Sequence, residues 1–163
     1  MSIAEEYLEL YRTHVQPAWV DYNGHMSEAF YVLIFGYATD ALLDRVGLDA
    51  QGREKEKASI YTVEAHISYI REVAEGKPVV TGTRILDLDA KRVHALHAMW
   101  HAETKDLLAT EELMLLHVRT EPEVGTAPMS RPVHSALQDL HQAQSHLDWP
   151  KQAGRSIGIR RGR

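Results

Sequence analysis

The 163 residues are 44% hydrophobic and 25% charged, the balance of a folded globule, and they fit one domain or one domain with a tail that buries roughly 70% of its unfolded surface. The absence of cysteine excludes disulfides, thiolate catalysis and cysteine-held metals, and a net charge of −5 disfavours a general nucleic-acid surface. The opening MSIAEEYLELYR is acidic without a signal-type apolar run, and no stretch reaches bilayer-crossing length, so a soluble cytoplasmic protein with no membrane partner is expected.

Residues 1–8 read as a short helical or loose lead-in. Residues 11–20 read as extended, with Val15, Pro17 and Trp19 on one parity; Pro17 has no N–H for a ladder, which predicts an edge or a bulge. Ser27 is an N-cap candidate, with Glu28 in the first turn where a negative charge suits the helix dipole. Phe30, Ile34, Tyr37 and Ala41, then Phe35, Ala38 and Leu42, recur at helical spacing, and Tyr31, Leu33, Leu43 and Val46 widen the apolar sector. The pattern predicts a long helix covered on most sides and ended by Gly47.

Residues 49–57 read as an exposed loop or short turn. Residues 60–70 predict a strand with Tyr61, Val63, Ala65, Ile67 and Tyr69 on a core face and Thr62, Glu64, His66 and Ser68 on a polar one. Strands over 79–88, 92–101 and 107–118 follow, joined by turns at Glu75-Gly76-Lys77-Pro78, at residues 87–91 and at 103–106. The order, strand, long helix, then four strands with short connections, predicts an α+β fold with a largely antiparallel sheet against one helix. No nucleotide-binding glycine loop is present.

After Arg119 the composition changes. The division expected is a domain over residues 1–119 and a C-terminal extension over 120–163 that packs on it or trails from it. TEPEVGTAPMSRP reads as a cover or linker, and 133–147 as a helix with Val133, Leu137, Leu140 and Leu147 inward, ended by Trp149-Pro150. Lys151, Arg155, Arg160, Arg161 and Arg163 crowd the last residues, leaving 13 basic against 23 acidic side chains in the first 149. That tail is a solubilising segment or a phosphate contact, and Ile157 and Ile159 alternate as a short edge strand would.

The chemistry concentrates in Trp19-Val-Asp-Tyr-Asn-Gly-His-Met26. Asp21 is either a turn cap or a carboxylate that attacks a carbonyl, directly or through water. Gly24 permits close backbone approach, and the helix-start amides after it can stabilise an oxyanion. Asn23 either holds the turn or steers water; His25 orients Asp21, contacts substrate or braces the loop. Glu64 and His66 are solvent-facing strand residues or complete the site. The ten histidines raise a metal site, but His94 opposes the parity of His97 and His101 and no HExxH occurs, so no metal is expected. The serine-hydrolase elbow GxSxG is also absent.

WVDYNGHMSEAFYVLIF together with TVEAHISYIREVAEGKPV resembles the hotdog-fold acyl-CoA thioesterases of the 4-hydroxybenzoyl-CoA type, most closely the betainyl-CoA thioesterase group of carnitine breakdown. The resemblance covers residues 10–119, with a C-terminal extension like that group's. It implies an antiparallel sheet wrapped around one helix, assembly as a homodimer or higher homo-oligomer, and no cofactor beyond the coenzyme A of the substrate. It assigns Asp21 as nucleophile or general base, Gly24 to the polarising amide and His25 to the thioester. Asn23 and Ser27 depart from the family's commoner aspartate and asparagine. Under that reading Glu64 orients water, and Lys91, Arg92 or the basic tail meet the coenzyme phosphates. A hydroxyacyl-CoA dehydratase and a noncatalytic acyl-CoA binding protein are the alternatives.

Overall fold

A computed structural model describes residues 1–162; Arg163 of the basic tail lies outside them. Helix α1 (Ile3–Glu6) leads into strand β1 (Leu8–His14), and helix α2 (Glu28–Arg45) is followed by a short helix α3 (Ala50–Glu56). Strands β2 (Ala58–Tyr69), β3 (Pro78–Leu88), β4 (Arg92–His101) and β5 (Leu107–Arg119) come next, then the small β6 (Gly125–Thr126) and helix α4 (Arg131–Ala143). The strands form one antiparallel sheet in the order β1-β3-β4-β5-β2, with β6 on β5, and its concave face holds α2. This is the hotdog arrangement that the resemblance implies. Among the described residues no helix is long and apolar enough to cross a membrane.

The first strand lies earlier than its extended pattern suggested. It ends at His14, and Pro17 instead opens a 3-10 turn, Pro17–Trp19, where a residue without N–H and with fixed φ costs least. Residues 49–57 are not a loop: Asp49 accepts the Gly52 N–H at 2.8 Å and caps α3.

Strand β2 departs most from its periodicity. A bulge between Thr62 and Glu64 shifts the register against β5, so Ala58 and Ile60 face α2 before it and Ala65, Ile67 and Tyr69 after it. Tyr61 thus leaves the expected core face. Because β2 is an edge strand, Tyr61 (43% exposed) and Val63 (56%) stay uncovered in the single chain. Helix α2 buries Tyr31, Ile34, Phe35, Ala38, Leu42 and Leu43 but leaves Val32, Leu33 and Tyr37 exposed, so one of its faces is bare rather than covered all round.

Two apolar clusters fill the concave side. One joins Leu42 and Leu43 of α2 and its C-cap Val46 to Ile85, Val93 and Leu115 and to Val133 and Leu137 of α4; the other joins Tyr31, Ile34 and Phe35 to Val15, Met26, Val73 and Met99. Helix α4 ends at Ala143, before Leu147, because Gln144 turns to the sheet: its amide accepts from Ile85 N–H and donates to Thr83 C=O, both at 2.9 Å. These groups lie on β3 at and just beyond the end of its pairing with β1, where Leu8 meets Thr83. The following segment crosses to the convex face, where Ala153 joins Tyr7, Leu96 and Trp100. Residues 155–162 have no regular structure, so Ile157 and Ile159 form no edge strand and are exposed.

Candidate active site

The turn before α2 is built by its own backbone. Asp21 N–H donates to His25 C=O and Gly24 N–H to Asp21 C=O, both at 3.0 Å, while Asp21 Oδ1 accepts the Asn23 N–H at 2.8 Å. Gly24 has φ +75°, a left-handed conformation that a β-carbon would strain, and this lets the chain reverse in so few residues. Val20 bridges Met26, and Ser27 N–H donates to Trp19 C=O at 2.9 Å, which ties the loop to the start of α2. Ser27 stands at the N-cap without a side-chain cap bond, so the first-turn N–H groups keep room for an outside acceptor.

Asp21 holds the turn and leaves one carboxylate oxygen for the other role its position offered. One carboxylate oxygen holds the turn; the other faces solvent on an exposed loop beside an uncapped helix start. A carboxylate so placed can attack a carbonyl or take a proton from water, and helix-start amides can receive the developing negative oxygen.

Through its imidazole His25 bonds Glu72 rather than the Asp21 carboxylate. Its Nδ1 lies 3.1 Å from Glu72 Oε2, and its backbone bridges Ala74, so it fastens the loop to the segment after β2. Glu72 was not anticipated from the sequence, since it lies beyond the strand pattern. It borders two adjacent cavities. One, of about 650 Å³, is lined by Arg71, Lys77 and His101; the other, about 240 Å³, by Met26, Glu28, Tyr31 and Tyr69. Asp21 lines neither and joins them through the His25–Glu72 pair.

The other expected residues are not brought to Asp21 within one chain. Glu64 projects from the convex face with His66, lining a cavity of about 400 Å³ with His94, Glu112, Arg155 and Ile157. Lys91 and Arg92 occupy the β3–β4 turn at the far end of the sheet, beside the C-terminal half of α2. Arg92 pairs with Asp89 at 2.5 Å, and that guanidinium, with the Lys91 and Arg92 amides, holds the Asp89 carboxyl down at about 2. Among the histidines raised as metal ligands, His94 pairs with Glu112 at 2.9 Å on the convex face, while His97 is buried on the concave one.

His97 is held between hydroxyls, Thr39 Oγ1 at 2.9 Å from Nε2 and Thr83 Oγ1 at 2.6 Å from Nδ1, and it stacks on Phe35. Because Thr39 donates its own proton to Phe35 C=O, it accepts from Nε2–H, which leaves Nδ1 to accept from Thr83. Burial pushes this imidazole down to about 3, so it is neutral. Beside it in the ladder stands Glu111, 5% exposed, whose carboxyl burial raises to about 7. Glu111 was missed too, although a glutamate on the parity of Ala109, Leu113 and Leu115 was a visible break in an apolar face.

Residues 15–137 match the model of the Thioesterase-like superfamily. The chain is similar to betainyl-CoA thioesterase of Pseudomonas aeruginosa, at 42% identity over 93% of this chain and 95% of that one. It is also similar to one part of the L-carnitine dehydrogenase/betainyl-CoA thioesterase of Agrobacterium fabrum, at 43% identity over 92% of this chain and 30% of the longer one. A candidate thioesterase from Pseudomonas putida KT2440 superposes with a TM-score of 0.82 at 43% identity, covering 95% of this chain and 98% of that one. A Staphylococcus aureus protein solved in complex with CoA shares the fold, with a TM-score of 0.83 at 24% identity over 94% and 97% of the two chains.

Proposed function

The chain belongs to the thioesterase-like superfamily and is an acyl-CoA thioesterase; on that premise we propose that it hydrolyses betainyl-CoA and that Asp21 delivers the attack. The observation that carries the reading is the Asp21 carboxylate on a Gly24 turn fastened to an uncapped start of α2. Similarity to the P. aeruginosa relative along nearly the whole of both chains supports the betainyl group.

The thioester carbonyl sits between Asp21 and the helix-start amides. Attack by the carboxylate, or by water it deprotonates, places negative charge on the carbonyl oxygen, where the Gly24 region and the first turn of α2 supply fixed donors. Asn23 supplies an amide beside the reacting group, and His25, held by Glu72, keeps the loop rigid. Collapse of the tetrahedral adduct expels the coenzyme A thiolate and leaves the carboxylate product. Arg71, Lys77 and His101, around the larger cavity, are suited to the coenzyme phosphates.

A homodimer completes this reading. The exposed Tyr61 and Val63 on edge strand β2, with the bare Val32, Leu33 and Tyr37 of α2, form apolar surface that a second copy would cover. Lys91, Arg92 and Glu64 would reach an Asp21 site only across such an interface.

The test is free-thiol release from a panel of acyl-CoA thioesters, with Asp21→Asn beside the wild type. Loss of turnover by about 10²- to 10⁴-fold in the variant is expected; full retained activity would remove Asp21 from the chemistry. In a single turnover in ¹⁸O-water, label in the Asp21 carboxylate would establish an anhydride opened at the Asp21 carbonyl, since general-base attack places label only in the product.

A further inference from the structure

A carboxylate buried among apolar groups without a partner is costly, and chains keep one when something else compensates it. Glu111 is such a group: it is 5% exposed, and among the described residues it has no hydrogen-bond or ion-pair partner. The unpartnered side-chain atoms that are wholly occluded are Arg84 Nε and His117 Nε2, so the Glu111 oxygens still touch open space. Alternation along β5 turns that opening to the α2 side, where its register partners are His97 on one side and Ile67 on the other.

Two residues further along β2, on the same face, is Tyr69. Its ring meets Tyr31 edge-on with centroids 5.2 Å apart, and its hydroxyl donates to Glu28 C=O at 3.2 Å, at the start of α2. The Glu28 and Glu111 charges, after burial, raise the Tyr69 phenol, which places the Glu111 carboxyl within electrostatic reach of that ring. The neutral His97 adds no cation, and the nearby Arg71 is paired with Asp106 at 3.4 Å. The Tyr31 and Tyr69 rings thus border the gap between α2 and β2, with the Glu111 carboxyl within reach of Tyr69, next to the helix start where the thioester is attacked.

Resting on the betainyl-CoA reading above, we propose that Glu111, with Tyr69 and Tyr31, is the specificity determinant that recognises the quaternary ammonium of the acyl group. A trimethylammonium has no N–H to donate, so it is held by charge and by the electron-rich faces of aromatic rings rather than by hydrogen bonds. A carboxylate that makes no hydrogen bonds of its own, beside the Tyr69 ring that Tyr31 meets edge-on, meets that requirement. The cation would in turn take the place of the proton that burial holds on Glu111, which accounts for an otherwise unfavourable glutamate on an apolar face.

The test compares betainyl-CoA with 3,3-dimethylbutyryl-CoA, its uncharged carbon isostere, on wild type, Glu111→Gln and Asp21→Asn. Glu111→Gln should lose at least about tenfold in kcat/KM on betainyl-CoA and stay within about twofold on the isostere, whereas Asp21→Asn should lose both. Equal losses on the two thioesters, or none on betainyl-CoA, would overturn the proposal. If the wild type hydrolyses neither, the thioesterase reading fails separately, and calorimetric titration of both thioesters still decides. Tighter binding of the cationic one that Glu111→Gln abolishes would support the pocket, and an unchanged ratio would refute it.

Discussion

Burial acts in opposite directions on the two neighbouring titratable groups of the concave face, raising Glu111 from 4.5 to about 7 and lowering His97 from 6.5 to about 3. Between pH 4.5 and about 7 the folded chain keeps the Glu111 proton that the unfolded chain has lost, so this group's contribution is full below 4.5 and fades as pH rises through 7. Glu111→Gln has no such loss. Its stability advantage over the wild type should therefore grow by about 3 kcal/mol between pH 4.5 and 8, read from urea midpoints. His97 behaves inversely, stabilising above 6.5 and failing as pH falls towards 3, but both proteins share it and it cancels. A pH-independent difference would mean that water reaches the carboxylate in the folded state. At this scale Asp21, Asn23, Gly24 and His25 were legible because their cluster is contiguous; the partner of His25, Glu72, lies 47 residues away and was not.

Helix α4 shows an element whose inward face could be read from spacing and whose end could not. Val133 and Leu137 are buried and Leu140 partly so, as helical periodicity predicts, but the helix stops where Gln144 bonds the backbone of β3 at Thr83 and Ile85. Leu137 is fully buried against the C-terminal half of α2, so Leu137→Ala should cost about 2–5 kcal/mol in thermal or urea unfolding. A cost below about 1 kcal/mol would show that α4 is only loosely seated. Strand β2 was located correctly, and Ala65, Ile67 and Tyr69 face α2 as expected, but before the bulge Ala58 and Ile60, not Tyr61, turn to it. One extra residue at the bulge inverts every later side chain, and nothing in Tyr61-Thr-Val-Glu64 announces it. For α3, the Asp49 cap three residues before Gly52 was a signal that the polar composition of the segment masked.

For the whole molecule, the bare edge of β2 and the bare face of α2 are the surfaces on which the proposed homodimer rests. The proposed homodimer predicts twice the chain mass in light scattering, and Val63→Lys, a charge on the exposed edge, should shift the species towards monomer and lower thiol release with it. A wild type that is monomeric and fully active would remove the second copy from the site. What the sequence by itself determined is local: the long apolar helix and its Gly47 stop, the antiparallel strands and their turns, and the carboxylate loop before the helix. Each depends on spacing and backbone preference among near neighbours. Only the tertiary structure decided which strand became an edge, which faces stayed open, where Glu64, Lys91 and Arg92 stand relative to Asp21, and that Glu111 lies unpaired behind Tyr69. Those outcomes depend on strand register and on burial, which are set by contacts between residues far apart in the chain.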